Sequence, residues 1–286
     1  MKNLEQQLTP DPNQLYLQDL VIEQPKEKFE LKFDPERDLT HEDLKNMDML
    51  LNDCRQQEDN NSWWAFSNLA SNMKVLGVST DRLNLNNSDW AGMIRQMNGW
   101  REDYNSQEAF IAQAADMKIL GANVDQLHID EDAKKRMRER WEQYFDHEMW
   151  DDLGEQTMYM KLLGVTYDER KIHTTALHGM EEKLQEYHLK NNEWDSFAFL
   201  AIDMKLLGAT YDTLHLDDTA WQGMTNLLNR LRKNNSRREV AEMARAMYIL
   251  AAHKAEIKDG QIVIEKYPPK QEDFSSTQPL PPHRKF

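Results

Sequence analysis

Four lysines recur along this 286-residue chain, each inside the same string: Met73–Gly77, Met117–Gly121, Met160–Gly164 and Met204–Gly208 all read Met-Lys-aliphatic-Leu-Gly. If the strings belong to stacked units, Lys74, Lys118, Lys161 and Lys205 form a ladder of ammonium groups suited to an acidic or carboxylate-bearing peptide. Each lysine also stands one turn before a helix C-terminus, where a cation gains roughly 0.3–1 kcal/mol from the helix dipole. A structural use therefore competes with the binding one. Trp63, Trp150 and Trp194 share a second register, each 14 residues before the glycine of its own string. An aromatic row of this kind is a candidate hot-spot surface, and packing under the inter-helix loops is its competing use. Glutamate at all four lysine positions is expected to leave the fold intact and to abolish partner capture.

Other chemistry is sparse. Asp125, His128, Asp130, Glu131 and Asp132 crowd one connector, and Asp212, His215, Asp217 and Asp218 crowd another. Such groups could attract a cation, but carboxylates at a helix N-terminus are favoured by its free N–H groups. Capping is the preferred reading, and no metal site is expected. No G-x-G-x-x-G, P-loop, G-x-S-x-G or H-E-x-x-H motif occurs, so no catalytic residue and no cofactor is assigned. Basic residues gather at Lys134–Arg140 and Arg230–Arg238, on opposite edges of the expected array, and the formal charge is −15. Both features weigh against nucleic acid. The lone cysteine, Cys54, is expected to be a buried thiol in a protein of a reducing compartment. No apolar run approaches a membrane span, so a soluble cytoplasmic protein is expected.

The elements that must position these residues follow from the repeat. Before each glycine, position −11 is Phe66, Phe110, Leu153 and Phe197, position −7 is Ala70, Ala114, Thr157 and Ala201, and position −4 is methionine. A degenerate fifth copy ends at Ala251, with Val240, Ala244 and Met247 in register. This spacing describes one face of an α-helix, with glycine at its left-handed C-terminal stop. Ser62, Ser106 and Ser236 sit at the expected N-cap, and Ser236 with Glu239 forms a capping-box pattern. After a connector carrying Asp81, Asp125, Asp168 or Asp212 comes a second helix, anchored on Met93, Met137, Met180 and Met224. Residues from Leu39 to Cys54 match this second helix alone, with Thr40 and Asp43 as its cap. Asp259-Gly260 between two short apolar runs predicts a hairpin.

The glycine spacing of 43 or 44 residues resembles the HEAT and armadillo range. That resemblance implies an all-α, right-handed-type α-solenoid of about five helix pairs, closed by a short C-terminal β-hairpin cap. The expected organisation is an irregular arm over 1–28, a half-repeat over 29–61, and repeats over 62–105, 106–148, 149–191 and 192–235. A capping repeat over 236–265 and a Pro-rich disordered tail over 266–286 complete it. Such an array is expected to be a non-enzymatic scaffold or adaptor for a protein or peptide partner. The alternatives are a helical-repeat enzyme acting on nucleic acid, or a homo-oligomer pairing through its C-terminal strand. Monomer and homodimer remain open at this point.

Overall fold

The computed structural model describes residues 32–57, 62–102, 106–190 and 193–266, all within one compact unit. The expected N-terminal arm and nearly all of the Pro-rich tail lie outside the described residues. Ten long helices follow one another: α1 (His41–Gln56), α2 (Ser62–Val75), α3 (Asn87–Glu102), α4 (Gln107–Leu120), α5 (Glu131–Asp146), α6 (Trp150–Leu162), α7 (Leu177–Lys190), α8 (Trp194–Leu206), α9 (Asp218–Lys233) and α10 (Arg237–Ala251). Two antiparallel strands close the chain, β1 (Lys254–Lys258) and β2 (Gln261–Glu265), paired from Lys254↔Glu265 to Lys258↔Gln261. Among the described residues no helix is long and apolar enough to cross a membrane.

Even-numbered helices carry the Met-Lys-aliphatic-Leu-Gly string. Their recurrent apolar positions are closed off: Phe66, Phe110, Leu153 and Phe197 are fully buried, as are Met73, Met117, Met160 and Met204. Each such aromatic or methionine contributes about 1.5–3 kcal/mol of apolar burial. The helices stop as the glycines predict. Gly77, Gly121, Gly164 and Gly208 all have positive φ, and the residue after each donates its N–H to the carbonyl of the string's methionine at 2.8–3.0 Å. The serine caps fare differently. Ser106 and Ser236 occupy N-cap positions without a side-chain capping bond to their helix, and Ser62 instead donates to the Gln57 carbonyl at 2.7 Å. Caps on the odd helices form as read: Thr40 with Asp43 is a reciprocal capping box, and Asp130 and Asp217 accept from Ala133 and Ala220 N–H groups.

The largest departure from expectation is at the ends. In an open solenoid the first and last units are far apart, but here α10 packs against both α1 and α2. Arg245 donates to Asn72 at 3.0 Å, and Lys32 pairs with Asp218 at 2.9 Å. Helices α2, α4, α6, α8 and α10 each contact the next, and α10 contacts α2, making a closed inner ring with the odd helices outside. The half-repeat and the capping repeat are thus one unit. Helix α10 lacks a following outer helix in sequence, α1 lacks a preceding inner one, and closure buries the apolar face of each against the other.

The seam uses the same contact as the interior. Arg55 at the end of α1 grips Asp89 of α3 with two hydrogen bonds of 3.0 Å and reaches the Leu83 carbonyl. Arg232, at the same register of α9, grips Asp43 of α1 at 2.8–3.2 Å and reaches the Asp38 carbonyl at 2.8 Å. Arg101–Asp130 and His188–Asp217 are two further rungs of this outer belt. Phe145 holds the fifth register, and there the Lys171 ammonium stands 4.8 Å from its ring centre.

Candidate functional site

The lysine ladder is spent inside the fold. Each of three lysines reaches across to the next inner helix and caps its C-terminal carbonyls: Lys74 to Ile119 at 2.7 Å, Lys161 to Leu206 at 3.0 Å, and Lys205 to Leu250 and Ala252 at 2.8 and 2.7 Å. Lys205 is only 9% exposed, and burial pulls its ammonium down to about 8. The Lys118 stem packs on the hairpin at Gly260, where any Cβ would overlap it. Gln261 in turn donates to the Lys118 carbonyl at 2.5 Å. These lysines tie neighbouring units together and seat the hairpin on the C-terminal end of the inner ring. They offer no continuous stripe to a peptide.

The tryptophan row is structural in the same way. A Cβ added at Gly92, Gly179 or Gly223 would overlap the indole of Trp63, Trp150 or Trp194. Helices α2, α6 and α8 therefore each begin with a tryptophan packed on a glycine of the following outer helix. The second unit keeps the contact with other chemistry: Gln107 replaces the tryptophan, Arg136 replaces the glycine, and Arg136 Nε donates to Gln107 Oε1 at 3.1 Å.

The connector histidines and basic clusters also find partners. Asn84, His128 and His215, the middle residues of the Leu-x-aliphatic connectors, all adopt left-handed backbone. His215 Nε2 lies 3.0 Å from Gln185 Nε2 and 3.5 Å from Glu181. Among the described residues no three His, Cys, Asp or Glu side chains converge enough to hold a metal ion. Arg140 pairs with Glu108, Arg237 with Asp53 and Arg238 with Glu242. Cys54 is buried, as read.

What remains unspent is the inward face of the inner helices, at positions −13, −9 and −5 of the repeat. These are Trp64, Asn68 and Asn72; Glu108, Ala112 and Asp116; Asp151, Glu155 and Tyr159; and Asp195, Phe199 and Asp203. Helix α10 adds Arg238 and Glu242 at −13 and −9, and Arg245 one residue off the last position. Residues from all five inner helices line a cavity of about 440 Å³, and a second lobe of about 260 Å³ adjoins it at Trp64, Ala112, Asp152, Glu155 and Tyr159. The hairpin packs across the other end, β1 against α6 and α8 and β2 against α4.

This lining is acidic and mostly desolvated. Asp116, on the same helix face but not in the cavity lining, accepts from Ser71 at 2.6 Å, yet burial still pushes its carboxyl up to about 6. Burial likewise raises Glu155, which accepts from Tyr159 at 2.6 Å, and pushes Glu242 up to about 7 despite Arg238 beside it. Asp203 differs from them all. It is 6% exposed and lines the cavity, no donor among the described residues reaches its carboxylate, and its oxygens are not among the atoms shut off from solvent, so they open onto the cavity. Burial, reinforced by the Glu155 charge, holds it well above the usual carboxylate range.

Sequence reasoning passed over this face because a polar stripe opposite an apolar one is the ordinary signature of a solvent-facing helix side. A signal was nevertheless present. Helices α6 and α8 place an acid at −13 and again at −9 or −5, a periodicity that bulk solvation does not require. No family model matches this chain, and neither the curated proteins nor the solved structures hold a similar one.

Proposed function

We propose that this protein is a non-enzymatic binding module whose binding site is the axial cavity of the helical ring. The observation that carries this reading is Asp203: a buried carboxylate without a donor, facing a cavity that all five inner helices line. Unsatisfied buried polar groups are rare in folded proteins and collect where a ligand or reaction needs them. A volume of about 440 Å³ lies in the range of small-molecule sites. The reading expected from the sequence, a scaffold holding a protein or peptide partner along the lysine ladder, loses support because three of those ammonium groups cap backbone carbonyls.

Tryptophan at Ala112, which lines both lobes, should fill the cavity. In a thermal-shift screen of small molecules, compounds that stabilise the wild-type protein should not stabilise Ala112→Trp. Stabilisation that survives the substitution would place binding elsewhere. A second reading, acid–base catalysis in the same cavity, is favoured by Glu242: a carboxyl held near 7 can both give and take a proton. Turnover of a bound compound, lost in Glu242→Gln with binding kept, would select it.

A further inference from the structure

We propose that the ligand of the axial cavity is an organic diamine or polyamine, with one ammonium against the Asp203 carboxylate and its methylene chain along Trp64 and Phe199. The assignment rests on the cavity being the binding site. Its first support is charge. The cavity lining includes Asp151, Asp152, Glu155, Asp203 and Glu242, against one basic side chain, Arg245. Arg245 already donates to Asn72, and its Nε and Nη2 atoms are closed off from solvent. Three buried guanidinium nitrogens, Arg238 Nε and Arg245 Nε and Nη2, have no hydrogen-bond acceptor among the described residues. Tyr187, Tyr159 and Arg238 serve Asp151, Glu155 and Glu242. Asp203 is left as the acceptor that a ligand end which only donates, as an ammonium does, would meet.

The second support is spacing. Asp203 and Tyr159 lie at one level of the ring, Glu155 and Glu242 one helical turn above, and Asp151 one turn higher by the repeat register. Four residues of helix rise about 6 Å, about the span between the nitrogens of an extended 1,4-diaminobutane unit. Successive ammonium groups thus meet successive acidic levels. Beside the acids the wall is apolar, with Phe199 at the level of Glu155 and Glu242, Trp64 at the level of Asp151, and Met158 and Leu200 nearby; Phe199 is 39% exposed. Aromatic faces beside carboxylates suit a cation on a hydrocarbon chain. A divalent metal fits less well, because its oxygen ligands must converge within about 2.0–2.6 Å and no three candidate ligands among the described residues do so. An anion would meet five carboxylates.

The test is calorimetric titration of the full chain with spermidine at pH 8 and physiological salt. Magnesium serves as a charge control, and Glu139→Gln as a variant on the outer surface. The expected result is saturable one-to-one binding, weakened about tenfold or more by Asp203→Asn, as loss of a charge-assisted hydrogen bond predicts. Binding should be abolished by Ala112→Trp and unchanged by Glu139→Gln. Equal binding of magnesium, or spermidine binding indifferent to Asp203→Asn, would overturn the assignment by reducing it to attraction to a chain of net charge −15. No spermidine binding, with a neutral or anionic compound bound in an Ala112→Trp-sensitive way, would overturn the amine and leave the cavity reading standing. Absence of any ligand sensitive to Ala112→Trp would sink both.

Discussion

The outer belt and the inner face of this ring are both built from charged residues at fixed repeat registers, and they solve opposite problems. On the outside, Arg55, Arg101, His188 and Arg232 each meet a carboxylate of the next outer helix. Each arginine rung brings its own counter-charge, and His188 meets Asp217 by a contact of 3.0 Å, so the belt stabilises the ring. On the inside, Asp116, Glu155, Asp203 and Glu242 crowd together, and burial raises the proton affinity of each. Paired charge at a recurrent register holds the ring together, whereas the carboxyls crowded on the inner face, with Arg238 and Arg245 as their neighbouring cations, are where the binding proposal rests.

Breaking the belt and its supports should produce the larger effects. The largest is expected from Lys205→Glu, which would press a carboxylate against the Leu250 and Ala252 carbonyls and should cost about 3–5 kcal/mol, seen as loss of cooperative folding. The fourfold lysine-to-glutamate variant should therefore not fold, contrary to the expectation from sequence. Arg232→Ala strands Asp43, which is 8% exposed in its side chain, and should cost about 2–3 kcal/mol. Arg55→Ala should cost nearly the same by denaturant titration, because the seam and the interior use one contact. A negligible effect at Arg232 alone would mean that the ring is open. Gly223→Ala drives a methyl into the Trp194 indole and should cost about 1–3 kcal/mol by overpacking, despite its better helix propensity. Arg101→Ala breaks a rung whose side chains are 34% and 42% exposed and should cost no more than about 0.5 kcal/mol.

The inner face should respond in the opposite sense. Glu242 binds its proton more tightly folded than unfolded, since its carboxyl is raised from 4.5 to about 7. Between those values the folded state holds more protons, so its stability falls as pH rises through the window. Arg238 and Arg245 moderate the cost, whereas Glu239 and Asp116 add to it. Glu242→Gln should therefore raise the melting temperature by a few degrees at pH 8 and hardly at all at pH 4.5. A variant no more stable than wild type at pH 8 would mean that Arg238 and Arg245 fully offset the burial of the Glu242 charge.

Much of the architecture was legible in the chain. Helix pairing, the glycine stops, the hairpin, the capped outer helices and the buried Cys54 all follow from local rules: period 3.6, left-handed glycine, and side-chain oxygen to free N–H. Even the Trp–Gly contact was written in the sequence, since Trp63, Trp150 and Trp194 occur in the three units whose outer helix has glycine before its methionine. The use of that glycine could not be read, because no local rule says which helix its bare face will meet. Closure lay equally beyond local reading. Whether a series of similar units opens into a solenoid or shuts into a ring depends on the rotation accumulated per unit, and a small angle at each connector decides it.

Closure then changed the meaning of residues already counted. The face at −13, −9 and −5 looks solvent-facing on any single helix, and five such faces turned toward one axis become the wall of a cavity. The sequence by itself determined the elements, their ends and the unit that repeats, because those depend on contacts a few residues apart. Only the tertiary structure decided that Arg232 would find Asp43, that the lysines would cap carbonyls, and that Asp203 would stand buried without a donor, because each of those facts depends on how the units turn in space.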